Sequence, residues 1–124
     1  MGLGGIKSAW QRQTKDFGHD EPHKYSCLII DNRGIGESDR PLMRYSTSEM
    51  ALDIIEILDH IEWCGERELH VLGISMGGMI AQELALRIPE RIASLTLIST
   101  AMRIKNTVVC NIKPQLQTYY IAHI

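Results

Sequence analysis

The order of apolar patterns along this chain predicts an α/β domain, with a mostly parallel sheet flanked by helices. Three short apolar runs, YSCLIID at 25–31, LHVLGI at 69–74 and ASLTLIS at 93–99, have the length and bounds of strands. Two stretches with helical spacing lie between them, at 46–61 and 76–88. Strands that alternate with helices in this way join in parallel through right-handed crossovers, which lay the helices on the faces of the sheet.

Each element has its own signals. Residues 1–5 read as a glycine-rich loop, and Ile6 to Phe17 as a short helix with Trp10 on its buried side. GHDEPHK reads as a turn. The run from Tyr25 to Asp31 is continuously apolar until its final acid, which suits a strand buried on both faces. NRGIGESDRP is a loop punctuated by glycine. Ser46 followed by Glu49 is a capping-box signature, so a helix is expected to begin there. Ile54, Ile57, Leu58 and Ile61 form its apolar stripe, and Gly65 is placed to end it. Leu69 to Ile74 is the second buried strand, Met76 to Ile88 a helix stopped by Pro89, and Ala93 to Ser99 the third strand. The domain is expected over 1–100. Residues 101–124 lack Asp and Glu and show no clear period, and they read as a divergent, irregular tail with a short strand at Thr107 to Ile112.

Composition narrows the function classes. With 124 residues, 44% hydrophobic and 23% charged, the chain is one domain or part of one, with enough apolar surface for a packed core. A net charge of −2 gives no reason to expect nucleic acid or an anionic membrane as partner. Cys27, Cys64 and Cys110 are odd in number, far apart and free of C-x-x-C spacing, which argues against a disulfide scaffold or structural zinc and for a reducing compartment. No apolar run reaches membrane-spanning length and the opening residues lack a secretory pattern, so a cytosolic protein is the default expectation.

The chemistry centres on GISMGG. Gly73, Ser75 and Gly77 form a G-x-S-x-G motif, with Gly78 next, between a buried strand and a helix. That setting is what a nucleophile elbow requires: glycines permit a sharp turn, and the serine hydroxyl is thrust out at the strand's carboxyl end. The helix N-terminus favours negative charge there, and the Met76 amide can face a developing oxyanion. The plainer alternative is a strand-to-helix turn in which Ser75 caps the helix. Gly34-Ile35-Gly36 lacks the third glycine of a dinucleotide fingerprint, so phosphate binding is not expected. Met76 and Met79 flank the site, where core packing is their expected role. His60 and His70 read as structural, and His19 and His23 lie in a polar turn.

At these motifs the chain resembles the α/β-hydrolase superfamily, in its serine esterase and lactonase branch. MGLGG is similar to the family's HG-x-G oxyanion loop, with Met1 in place of the usual histidine. Asp31-Asn32-Arg33-Gly34-Ile35-Gly36-Glu37-Ser38 is similar to its D-x-R-G-x-G-x-S turn, and PERIASLTLIS to the lead-in of its next strand. The resemblance implies Ser75 as nucleophile, the Leu3 and Met76 amides as oxyanion donors, and ester, thioester or lactone bonds as substrates, with no metal or organic cofactor. Serine at this position argues against the dehalogenase and epoxide-hydrolase branches, which use Asp.

The same resemblance implies deficits. The family's triad runs Ser, then an acid, then His, yet after Ser75 the only acids are Glu83 and Glu90 and the only histidine is His123. Neither acid is placed to reach the strand tips. The resemblance also puts a strand before the oxyanion loop, between the strands at Tyr25 and Leu69, and further strands after Thr100. A partial α/β-hydrolase fold is therefore expected, lacking a central strand and the C-terminal half. Its strand at Leu69 should pair with that at Ala93, and its strand at Tyr25 should stand apart or close the gap. The expected function is a serine hydrolase-like fragment of impaired or no activity, acting on a small ester-like molecule. A non-catalytic interaction module with an unknown protein partner is the alternative, and a product without folded function the third reading.

Overall fold

The computed structural model describes residues 1–101 and the backbone of 121–123. An N-terminal loop turns on a hydrogen bond from the Gly5 amide to the Gly2 carbonyl (3.0 Å). An irregular helical run follows: 3-10 over Lys7–Trp10, a short α1 (Gln11–Gln13), then π geometry over Thr14–His19. Trp10 is half-buried, as expected, whereas Phe17 is exposed and meets Tyr25 edge to face, with ring centroids 5.4 Å apart.

Helix α2 (Thr47–His60) starts as its sequence requires. The Glu49 amide donates to Ser46 Oγ (3.1 Å) and the Ser46 amide donates to Glu49 Oε2 (3.1 Å), so two otherwise unpaired donors are satisfied reciprocally. The helix stops earlier than Gly65. Glu62 takes a left-handed φ of 60°, its amide donates to Asp59, and the Trp63 amide donates to the Leu58 carbonyl (2.9 Å). This is a Schellman ending with a glutamate where glycine is usual, and it brings Trp63 against the core. Its cause is hydrophobic: turning the chain at Glu62 buries part of an indole.

Strand β1 (Leu69–Ile74) leads into helix α3 (Met76–Arg87), and a 3-10 turn at Pro89–Arg91 leads into strand β2 (Ile92–Ile98). β1 and β2 pair in parallel, from His70 opposite Ser94 to Ile74 opposite Ile98, as the crossover argument expects. A short β3 (Ile121–His123), not among the strands expected, runs antiparallel to β2, so the order is β1-β2-β3. The expected strand at Thr107 to Ile112 lies outside the described residues.

The core packs Met50, Ala51 and Leu58 of α2 against Ile80, Ala81 and Leu84 of α3, and both against Ile88, Ile92 and Leu95. Burial of this kind contributes about 1.5–3 kcal/mol for each large aliphatic side chain. The stripe expected on α2 is thus displaced by part of a turn: Met50 and Ala51 join Leu58 inside, while Ile61 is exposed.

One expected strand does not form. Residues 25–31 belong to no ladder among the described residues, and Tyr25, Leu28 and Ile29 are exposed rather than buried on both faces. β-Structure is a property of pairs, and this segment forms no ladder with another described segment. It stands apart from β1, which was one of the two arrangements expected.

Candidate active site

Ser75 sits at the carboxyl end of β1, immediately before the first residue of α3. Its backbone has φ 54° and ψ −121°, a conformation that costs a non-glycine residue about 1–3 kcal/mol and persists only where neighbours enforce it. The enforcement is visible. The Ser75 amide donates to the Ile98 carbonyl (2.9 Å), continuing the β1–β2 ladder into the turn. The Ser75 carbonyl accepts from Thr100 Oγ1 (2.6 Å), the Gly78 amide (3.0 Å) and the Met79 amide (3.3 Å). The side chain makes no capping bond, so the helix-cap reading of this serine fails and its hydroxyl is left for other chemistry.

Close approach explains the glycines. A Cβ at Gly73 would lie 2.5 Å from the Gly77 carbonyl oxygen and 2.7 Å from Gly78 Cα, so strand and helix could not meet. At Gly78 it would strike Thr100 Cβ at 2.5 Å. At Gly77 it would strike the Met1 backbone, with its carbonyl oxygen at 2.6 Å, so the N-terminal loop rests directly on the start of α3. Gly2 packs on Ser75 as well: a Cβ there would be 3.4 Å from Ser75 Cβ and 3.7 Å from Oγ. Leu3, 85% exposed, therefore follows a residue packed beside the serine. Loop and elbow share one rim of the sheet.

A buried carboxylate pins that loop. Asp31 has a side chain only 4% exposed; its Oδ1 accepts from the Lys7 amide (2.6 Å) and its Oδ2 from the Glu37 amide (3.3 Å), with Lys7 Nζ at 3.6 Å. These hydrogen bonds, the Lys7 amide first, hold the Asp31 carboxyl below the usual carboxylate range. Gly36 at φ +55° is required beside it, because a Cβ would fall on the carboxylate. Arg33 then ties the turn to α2 through two bonds to Asp53, Nε to Oδ2 at 2.7 Å and Nη2 to Oδ1 at 2.6 Å. Sequence reasoning found the D-x-R-G-x-G-x-S pattern but missed that Asp31 links the N-terminal loop to it. The charge at the end of an apolar run was the available signal.

The remaining candidates lie elsewhere. Glu83 pairs with Arg87 inside α3, and that hydrogen bond lowers its pKa. Glu90 lies in the turn before β2, at the far end of the sheet from Ser75. His70 bonds Ser94 Oγ (2.7 Å), and His19 bonds Asp20 (3.1 Å). The backbone of His123 pairs with Ser94, four residues before Ile98 and so about 13 Å down the sheet from the elbow. Among the described residues no hydrogen bond reaches the Ser75 hydroxyl, no His, Cys, Asp and Glu cluster could hold a metal, and no helix is long and apolar enough to cross a membrane.

Known proteins resemble this chain in sequence and fold. The family model described as the alpha/beta hydrolase fold matches residues 1–122. The 3-oxoadipate enol-lactonase 2 of Acinetobacter baylyi is 33% identical over 114 residues, 92% of this chain and 40% of its own length. A thermophilic esterase from Thermogutta terrifontis superposes with a TM-score of 0.70 at 30% identity, over 82% of this chain and 35% of that one. Est816, solved as an N-acyl homoserine lactone degrading enzyme, gives a TM-score of 0.65 at 31% identity, over 80% of this chain and 36% of its own. The chain spans between 35% and 40% of the length of these relatives, and so carries part of their fold. A strained serine between strand and helix, a glycine loop packed on it, and a family match along nearly the whole sequence lead to one conclusion: the chain belongs to the α/β-hydrolase family.

Proposed function

We propose that Ser75 is the nucleophile of a serine hydrolase site for carboxylic ester, thioester or lactone bonds, with the Leu3 and Met76 amides as oxyanion donors. The observation that carries this reading is the Ser75 backbone at φ 54°, held by Ile98 and Thr100 while the hydroxyl makes no local bond. Met76 opens α3, so its amide has no partner within the helix, and the helix dipole favours an oxyanion at the same point. Relatives that act on lactones and esters agree with a small acyl substrate. Three exposed or part-exposed groups, Ser75, Met76 and Leu3, then form the site without a metal or organic cofactor.

A serine hydroxyl attacks poorly until a base takes its proton. Among the described residues no histidine is hydrogen-bonded to Ser75, and on this reading the chain alone performs the acyl transfer slowly or not at all. Loss of a triad lowers kcat by about 10⁶ in a comparable site. A fluorophosphonate probe tests the assignment: the Ser75 oxygen bonds phosphorus, fluoride leaves, and the proton passes to solvent base. A single adduct on Ser75 is expected, formed slowly, accelerated by added imidazole and absent from Ser75→Ala. No adduct under imidazole, or an adduct that persists in Ser75→Ala, overturns it. The second reading, a non-catalytic interaction module, is favoured by the outer edge of β1, which has no partner strand among the described residues.

A further inference from the structure

A second strained serine stands beside Ser75. Ile74 and Ile98 are register partners at the ends of β1 and β2, and the next residue on each strand is a serine with a left-handed φ, 54° at Ser75 and 47° at Ser99. Such backbone persists only where its neighbours over-determine it. At Ser99 the turn delivers the following residue onto the start of α3. A Cβ at Gly78 would lie 2.5 Å from Thr100 Cβ, 2.6 Å from its Oγ1 and 2.7 Å from its Cγ2, so the Thr100 side chain packs directly on Gly78. One helical turn on, Gln82 Nε2 donates to the Gly78 carbonyl (3.1 Å) and to the Ala101 carbonyl (3.4 Å). Residues 99–101 are thus fastened across the first turns of α3.

What Thr100 holds is a peptide plane. The amide group that joins Ser75 to Met76 is planar and trans, so its C=O and its N–H point in opposite directions and cannot be aimed separately. Thr100 Oγ1 donates to the Ser75 carbonyl (2.6 Å), the shortest of the three bonds to that oxygen. The other two donors, the Gly78 and Met79 amides, belong to α3 itself and tilt with its first turn. Thr100 instead follows β2, and β2 also holds the plane before Ser75, through the bond from the Ser75 amide to the Ile98 carbonyl (2.9 Å). Both planes that flank the serine are therefore anchored to one strand. Fixing the carbonyl on one side of the plane aims the Met76 amide out of the other. A carbonyl that accepts a hydrogen bond also makes the N–H of its own amide a stronger donor.

We propose that Thr100 is a positioning residue: through the Ser75 carbonyl its hydroxyl orients the Met76 amide toward the oxygen that becomes negative when Ser75 attacks. This rests on the roles of Ser75 and Met76 proposed above. Two variants separate the hydroxyl from its packing. Thr100→Val keeps the shape against Gly78 and removes the donor, whereas Thr100→Ser keeps the donor and removes the methyl. The readouts are the rate of Ser75 labelling by the fluorophosphonate probe with imidazole, and the Met76 amide proton resonance before and after labelling. Thr100→Val should label about tenfold more slowly than the unaltered chain and Thr100→Ser within about twofold of it, a share of what a whole oxyanion donor supplies. On labelling, the Met76 proton should move downfield in the unaltered chain and in Thr100→Ser, as it bonds the phosphonyl oxygen, and by less than half as much in Thr100→Val. Labelling of Thr100→Val at the unaltered rate, or Thr100→Ser as the slower of the two, overturns this proposal and leaves the nucleophile standing. So does a Met76 proton that stays in place when the unaltered chain is labelled, whatever the variants do. An unaltered chain that takes no label at Ser75 overturns both readings together.

Discussion

The two sides of β1 were built from equally apolar sequence and ended differently. Toward β2, the ladder continues through Ile74 into the Ser75 turn, and glycine lets α3 approach until backbone touches backbone. Away from β2, residues 25–29 are exposed beside an open gap and pair with no strand among the described residues. The difference teaches that an elbow and a buried strand have different requirements. The elbow needs one strand, one helix and one neighbouring strand, all within residues 69–100. A buried strand needs a partner on each side, and its own composition cannot provide one.

The sharpest way to break this contrast is Gly73→Val. Its new side chain meets the Gly77 carbonyl and Gly78 Cα, both backbone, so neither can rotate away. We expect a loss of about 4 kcal/mol or more by chemical denaturation, enough to unfold a small domain. A loss below about 1 kcal/mol would show that strand and helix are not in such contact. Next in size is a matched pair. Leu84→Ala, at 2% exposure inside the core, should cost about 2–5 kcal/mol, whereas Leu28→Ala at 37% exposure should stay within about 0.5 kcal/mol. Equal costs would mean that the gap is closed in solution.

Much of this was legible in the sequence, for local reasons. The Ser46–Glu49 cap, the β1–β2 pairing and the strand-to-helix turn at Ser75 depend on residues close in the chain or on the handedness of a crossover. What was misread depends on distant partners. YSCLIID has a strand's composition, yet pairing is non-local and no other described segment pairs with it. The stop at Glu62 was hidden because glutamate rarely takes a left-handed φ, and only the packing of Trp63 selects it. Asp31 was read as one letter of a motif, whereas its contact with Lys7, 24 residues away, holds the N-terminal loop over the elbow.

The smallest expected effect sharpens that last point. The folded Asp31 carboxyl titrates below its unfolded value because the Lys7 amide donates to the charged form. The folded state thus binds fewer protons, and this contribution is fully present above the unfolded carboxylate pKa of about 3.9. It is lost as pH falls through the depressed folded value. Thermal melts should therefore show no share of acid sensitivity from Asp31 between pH 7 and 5, and a share below about pH 4 that Asp31→Asn removes. A melting change between pH 7 and 5 that vanishes in Asp31→Asn would contradict the bonding described.

Amide hydrogen exchange on the chain alone, read residue by residue at neutral pH, tests most directly whether the elbow is complete while its neighbouring gap is open. The amides of Ser75 and of residues 80–84 should exchange only at the rate of global opening, and those of Ser26 to Ile30 within about tenfold of an unpaired chain. Protection of residues 26–30 equal to that of Ser75 would contradict the account.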